Sequence, residues 1–209
     1  MQLYLVRHGE TEYNRRDLFR GHLDIPLNQT GKRQAAAAAD CLRDVELAAF
    51  YSGPLQRAVD TAALIAAPHG AQTQVLRSLN DIDYGAWSGK TVSEVREAYP
   101  ECYELWAHRP AGVRFPEGES LREAHARVKE GMEWLWARHA AEAIVIVGHK
   151  VVNRLVLCTA LGLPLAGIWR IEQSNGAINL IQRNERGYML IKMNDTCHLT
   201  GCASGQSLT

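Results

Sequence analysis

The chain carries no excess of either charge. Its 209 residues hold 23 Lys and Arg against 23 Asp and Glu, so no general field draws it to nucleic acid or to an anionic membrane. Any anion site must be built locally. It has no apolar run near the ~20 residues of a membrane-spanning helix. The sequence enters its first apolar stretch at once, with no basic segment or cleavage site ahead of it. Cysteine is scarce and unpatterned: Cys41, Cys102, Cys158, Cys197 and Cys202 are odd in number and scattered. That argues against a disulfide framework and for reduced thiols in a cytoplasm. No H-x-x-x-H or C-x-x-C spacing occurs, and Cys197, His198 and Cys202 are too sparse for zinc. No metal and no cofactor are expected. There is also no internal repeat and no linker, which leaves one domain over residues 1–209.

What is present is a globular share of apolar residues, 46%, enough for one α/β domain with a sizeable core. Residues 3–6 form a short apolar run stopped by Arg7, His8 and Gly9, the pattern of a buried strand feeding a loop. Residues 9–27 read as a long loop holding Arg15, Arg16 and Arg20. Thr30 is placed to cap a helix through five alanines. Residues 48–52 read as a second strand, 55–67 as a helix and 73–76 as a third strand. This alternation predicts parallel pairing with right-handed crossovers. The middle departs from that rhythm. Two short helices (92–99 and 102–108) fall within an inserted cap of about 85–118. The longest helix opens at Gly118, Glu119 and Ser120, with Leu121, His125, Val128, Met132 and Leu135 along one face. Residues 143–147 are the most apolar strand, stopped by Gly148 and His149, and a helix follows over 151–161. A hairpin over 177–182 and 188–193 closes the domain, with a loose tail over 200–209. The expected fold is a three-layer αβα sandwich: a mostly parallel central sheet, helices on both faces and a small inserted cap. The hairpin offers an edge strand for a homodimer.

In an open α/β sheet ligands bind beyond the carboxyl ends of the strands, which places Arg7 and His8 where chemistry happens. The stretch over residues 5–11 closely resembles the signature of the histidine phosphatase superfamily, the phosphoglycerate mutase-like proteins. The resemblance implies that His8 is the nucleophile that takes a phosphoryl group. Such chemistry needs a neutral imidazole, cations on the phosphoryl oxygens and a proton for the leaving group. Arg7 adjoins His8 and disfavours imidazolium. Residues 52–58, from Ser52-Gly53-Pro54 to Arg57, resemble the family's second motif and make Arg57 a phosphate ligand. Residues 145–149 resemble the third and give His149 the binding of phosphoryl oxygens and the stabilisation of charge in transfer. Asn14, six residues after His8, stands where the family often has an asparagine reaching the phosphate; an asparagine in a loop also caps its own backbone. His8, His149 and a carboxylate could be read as a metal triad, but Arg7 and Arg57 would crowd a dication, whereas guanidinium pairs suit an anion.

The proton donor departs from the family pattern. Residues 79–89 resemble the segment that carries a glutamate two residues after its leucine, and that position is Asp81. A carboxyl beside a bound phosphate dianion is raised in pKa, which suits a general acid. Asp83 is a rival two residues on, on the same side of an extended segment. Residues 115–120 resemble a further family element, a helix start whose free N–H groups would face the site. These features imply a phosphomonoesterase acting on a small-molecule phosphoester through a phosphohistidine. The competing readings are a phosphoglycerate mutase with the same residues, and a non-catalytic phosphate-binding module. Only about thirty residues separate Gly85 from Gly118, where bisphosphoglycerate-dependent mutases usually carry more, and this favours hydrolysis. Residues 194–199 resemble the C-terminal element of metal-independent phosphoserine phosphatases. If the tail folds back, His198 meets a carboxylate on the leaving group and phosphoserine becomes the expected substrate.

Overall fold

The computed structural model describes residues 1–16 and 18–200. Residues 201–209, with Cys202 and nearly all of the expected tail, lie outside the described residues. The six strands are β1 (Gln2–Arg7), β2 (Ala49–Ser52), β3 (Thr73–Val75), β4 (Ala143–Gly148), β5 (Ile178–Asn184) and β6 (Gly187–Asp195). They form one sheet in the order β3-β2-β4-β1-β5-β6. The first four are parallel to one another, while β5 and β6 run antiparallel as the closing hairpin. β1 and β4 read as continuous apolar runs because both of their faces are covered.

The helices are α1 (Glu12–Arg15), α2 (Gln29–Leu42), α3 (Gln56–Ala66), α4 (Val92–Ala98), α5 (Pro100–His108), α6 (Leu121–Arg138) and α7 (Lys150–Leu161). Val6, Phe50, Val145, Val147 and Ile178 pack against the alanine face of α2 and against α3. Leu3, Leu5, Tyr51, Ile144, Ile146 and Ile181 pack under α6 and α7. Alternate residues of β1 thus enter different cores, as the period of a strand requires. The alanines let α2 lie close to the sheet.

Local chemistry sets the ends of these elements. Ser120 and Glu123 close a reciprocal capping box at α6. α4 stops at the residue before Pro100, and Pro100 opens α5. At α2 the cap is Asn28 rather than Thr30. Asn28 Oδ1 accepts from Gly31 N at 2.8 Å while its Nδ2 donates to Glu10 Oε1 at 2.8 Å; a partner 18 residues upstream moves the helix start back by two residues. Residues 9–27 are not wholly loop, since Thr11 caps the single turn of α1. The cap region is tied at both ends by Ala86 N to Pro116 O (2.9 Å) and Glu119 N to Asp83 O (3.1 Å). Its filling is aromatic: Phe115 meets Tyr84, Trp87 and Trp106 edge-on, and Trp106 meets Trp169 at 4.4 Å. Among the described residues no helix is long and apolar enough to cross a membrane.

Candidate active site

Parallel register builds the centre of the site. Arg7 pairs with Gly148 across β1 and β4, so the next residues of the two strands, His8 and His149, emerge side by side. Their rings lie 5.2 Å apart between centroids, tilted by 56°. His8 N donates to Gly148 O at 3.0 Å and seals the junction. The chain can leave β1 only as glycine, because a Cβ on Gly9 would lie 2.3 Å from Gly31 O at the start of α2. At the end of β2, a Cβ on Gly53 would lie 2.6 Å from Leu79 O and 3.0 Å from His149 Nε2.

His8 Nδ1 lies 2.7 Å from Gly9 O. A carbonyl only accepts, so Nδ1 carries the proton and Nε2 keeps its lone pair. Burial first, then the charges of Arg57, His149 and Arg7, hold His8 well below its ordinary pKa. Burial likewise draws His149 down to about 3, Asp81 opposing and Arg57 adding. Both rings are neutral at pH 7.

Two buried guanidinium groups flank them. Arg7 donates to Gln173 O at 2.6 Å, and burial lowers its pKa to about 9, which leaves it charged. Arg57, in the first turn of α3, donates to Leu23 O (2.7 Å), Gly21 O (2.9 Å) and Asp81 Oδ2 (2.9 Å). α3 has no side-chain cap of its own. Asp24 Oδ1 accepts from Gln56 N at 2.7 Å, so the loop held by Arg57 also closes the helix that carries it. The buried atoms Arg7 Nε, Arg57 Nε, Ser52 Oγ and both ring nitrogens of His149 have no hydrogen-bond partner among the described residues. Buried polar atoms left without partners on these neighbouring strand and helix ends suit a multiply accepting anion.

Asp81 joins this group: its Oδ2 lies 3.6 Å from His149 Nδ1. Burial raises its pKa, but His149, Arg57 and Arg20 outweigh that and hold the carboxyl below its ordinary value. Asp83 does not reach the site. Its Oδ1 accepts from Gly85 N at 2.9 Å and its Oδ2 lies 3.9 Å from His22 Nδ1, so it closes a turn. The segment bearing Asp81 is braced by Arg127, which donates to the carbonyls of Ser78 (2.9 Å), Asn80 (2.8 Å) and Asp81 (3.0 Å) and pairs with Glu119 at 2.7 Å. The helix start at residues 118–120 therefore serves the site through Glu119 and Arg127. Its N–H groups are taken by the Ser120–Glu123 box rather than presented to the site.

Asn14 is engaged in a local cap and also faces a cavity. Its Oδ1 accepts from Thr11 N (3.0 Å) and Thr11 Oγ1 (2.8 Å), which leaves the amide NH2 as its donor, and the residue lines the cavity that Arg7 and Asp81 also line. His198 is not brought there. Its Nε2 lies 3.0 Å from Gly176 O; it is absent from the cavity wall, which meets the site through Arg7 and Asp81 and does not include His8, Arg57 or His149 either. The short turn at Cys197–Leu199 packs beside α2, and through His198 it props the loop behind His8, whose Gly176 N donates to Arg7 O at 3.0 Å.

The cavity, about 320 Å³, is also lined by Arg20, Lys150, Arg154 and Glu172, none of which the motifs pointed to. Lys150 adjoins His149 and was open to notice on that ground; the others are assembled from remote segments. Among the described residues no group of three or more His, Cys, Asp or Glu is placed to hold a metal ion.

A family model described as histidine phosphatase superfamily (branch 1) matches residues 3–196. Phosphoserine phosphatase 1 of Hydrogenobacter thermophilus is 38% identical over 95% of this chain and 94% of its own. Among solved structures, the alpha-ribazole phosphatase of Shigella flexneri superposes with a TM-score of 0.86 at 27% identity, over 93% of this chain and 96% of its own. A variant of the phosphoserine phosphatase of Entamoeba histolytica, in complex with phosphoserine, gives 0.86 at 25%, over 95% and 98%.

Proposed function

The chain belongs to the histidine phosphatase superfamily, and from that premise we propose the course of its reaction and the substrate it serves. It is a phosphomonoesterase. His8 Nε2 attacks phosphorus in line with the departing alcohol oxygen. The P–O bond breaks, its electron pair leaves with that oxygen, and Asp81 supplies the proton. Arg7, Arg57 and His149 hold the equatorial oxygens on which charge is spread, with the Asn14 amide as a further donor. Asp81, now a carboxylate, takes a proton from water as that water attacks the phosphohistidine. Phosphate departs and His8 is restored. The unliganded carboxyl is ionised, so its first proton arrives with the substrate. A phosphoester monoanion gives it up when the dianion settles beside Asp81 and raises its pKa. The observation that carries this course is a neutral His8 with Nδ1 committed to Gly9 O and Nε2 free, set between two buried guanidinium groups.

The cavity volume lies at the small end of ligand pockets, ~300–1,000 Å³, which suits a small metabolite. The 38% identical relative named phosphoserine phosphatase favours phosphoserine. The reaction is hydrolysis rather than isomerisation, since a mutase must keep water from its phosphoenzyme while the substrate turns and the cap here is short. The four described cysteines are unpaired, in keeping with a reducing cytoplasm, and β6, an edge of the sheet, is the strand through which two copies would pair. The test is phosphate release from phosphoserine, 3-phosphoglycerate, sugar phosphates and an aryl phosphate. Phosphoserine should give the highest kcat/KM among alkyl phosphates. Preference for sugar phosphates would reject the substrate, and interconversion of phosphoglycerates faster than release would reject hydrolysis.

A further inference from the structure

The wall of the cavity beyond the phosphoryl ligands holds a cation and an anion side by side. Lys150, the first residue of α7, has its Nζ 3.7 Å from Glu172 Oε1. Arg154, one turn on, has its Nη2 3.4 Å from Glu172 Oε2. The two arginine and lysine partners are not equivalent. Arg154 is fixed: its side chain is 6% exposed, its Nε donates to Ile171 O at 2.6 Å, and its guanidinium lies 5.1 Å over Trp169. Glu172 is 61% exposed on its side chain, and both contacts are longer than the ~2.7–2.9 Å of a closed charge-assisted bond. A carboxylate has about four acceptor sites and an ammonium three donors, so Glu172 and Lys150 keep hydrogen-bonding capacity on the cavity side. Gln173, next to Glu172, is the residue whose carbonyl accepts from Arg7. That bond ties the pair to the phosphoryl site.

We propose that Lys150 and Glu172 form a subsite for the zwitterionic end of a phosphorylated amino acid, Lys150 taking the α-carboxylate and Glu172 the α-ammonium, with Arg154 orienting Glu172. This rests on the phosphomonoesterase reading and specifies what recognises the leaving group. A substrate with a carboxylate alone would need no anion there, and one with a second phosphate would be repelled by it. The subsite also does the work that the position of His198 leaves undone.

Three phosphoesters separate the two charges: phosphoserine carries both, 3-phosphooxypropionate only the carboxylate, and phosphoethanolamine only the ammonium. Glu172→Gln should lower kcat/KM for phosphoserine and phosphoethanolamine by about 10–100-fold, as expected for loss of a charged hydrogen bond, through KM rather than kcat. It should leave 3-phosphooxypropionate equal or improved. Lys150→Met should give the crossed pattern, weakening phosphoserine and 3-phosphooxypropionate but not phosphoethanolamine. A parallel change on all three substrates, or none, would overturn the subsite. Turnover of an aryl phosphate by the unaltered chain tests the phosphatase reading separately: if that fails the reaction is misassigned, and if it holds while the crossed pattern is missing only the subsite is wrong.

Discussion

Neither His8 nor His149 takes up a second ring proton at neutral pH in the folded chain, and in acid that governs stability. Both pKa values are depressed by burial, so below the ordinary histidine value the unfolded chain binds more protons than the folded one. Stability then rises with pH and falls as the solution is acidified. From about pH 6.5 down to pH 4 the His149 ring should cost on the order of 1 kcal/mol per pH unit, and His8 acts in the same direction. Denaturant midpoints across that range should show the decline, and His149→Gln should make it shallower; an equal slope in the variant would mean that His149 is not held neutral. Turnover obeys a different proton. Because Asp81 is ionised before substrate arrives, kcat/KM should fall above about pH 6, where a phosphate monoester loses its second proton. Asp81→Asn should slow alkyl phosphates by ~10²–10⁴-fold and aryl phosphates far less. The same selective loss in Asp83→Asn, with Asp81→Asn spared, would transfer the role to the other carboxylate. Asp81 was legible from its place after Leu79, but the side chain's partner was not: Arg57 is 24 residues away in sequence and meets it only through the fold.

Among the elements, strand register and glycine do most to shape the site. β1 and β4 end together, and their next residues are the two histidines. Apolar runs stopped by Arg-His-Gly and Gly-His disclosed both strand ends in the sequence. What a run of letters does not disclose is contact between distant loops. Gly9 is needed because the start of α2 crosses it, and α2 starts at Asn28 because Glu10 is there to bind. In the sequence Thr30 reads as the cap for want of that partner. Gly9→Ala should therefore destabilise by about 1–3 kcal/mol, the usual cost of overpacking. Gly167→Ala, where an added Cβ meets nothing within 4 Å, should stay within about 0.5 kcal/mol. Denaturant midpoints of the two variants decide the matter, and equal midpoints would mean that the close approach of Gly9 to Gly31 is not rigid.

Over the whole molecule, the layering followed from the sequence because its cause is periodic: alternate residues of a few strands and one stripe of each helix. The motifs at residues 5–11, 52–58 and 145–149 were legible because each lies where a strand ends. The cavity wall was not, since Arg20, Lys150, Arg154 and Glu172 come from three separate segments with no shared pattern. His198 was misplaced for a related reason. Its motif was visible, but its destination depends on where β6 delivers it, and β6 delivers it beside α2. The account stands on one atom, His8 Nε2, forming a bond to phosphorus. The direct measurement is to mix the chain with a phosphoester carrying radiolabelled phosphate, denature it in alkali during turnover, and map the label. The account predicts alkali-stable, acid-labile phosphate on His8 and none in His8→Ala, which should also release no phosphate above background. Label on another residue, or undiminished phosphate release by His8→Ala, would contradict it.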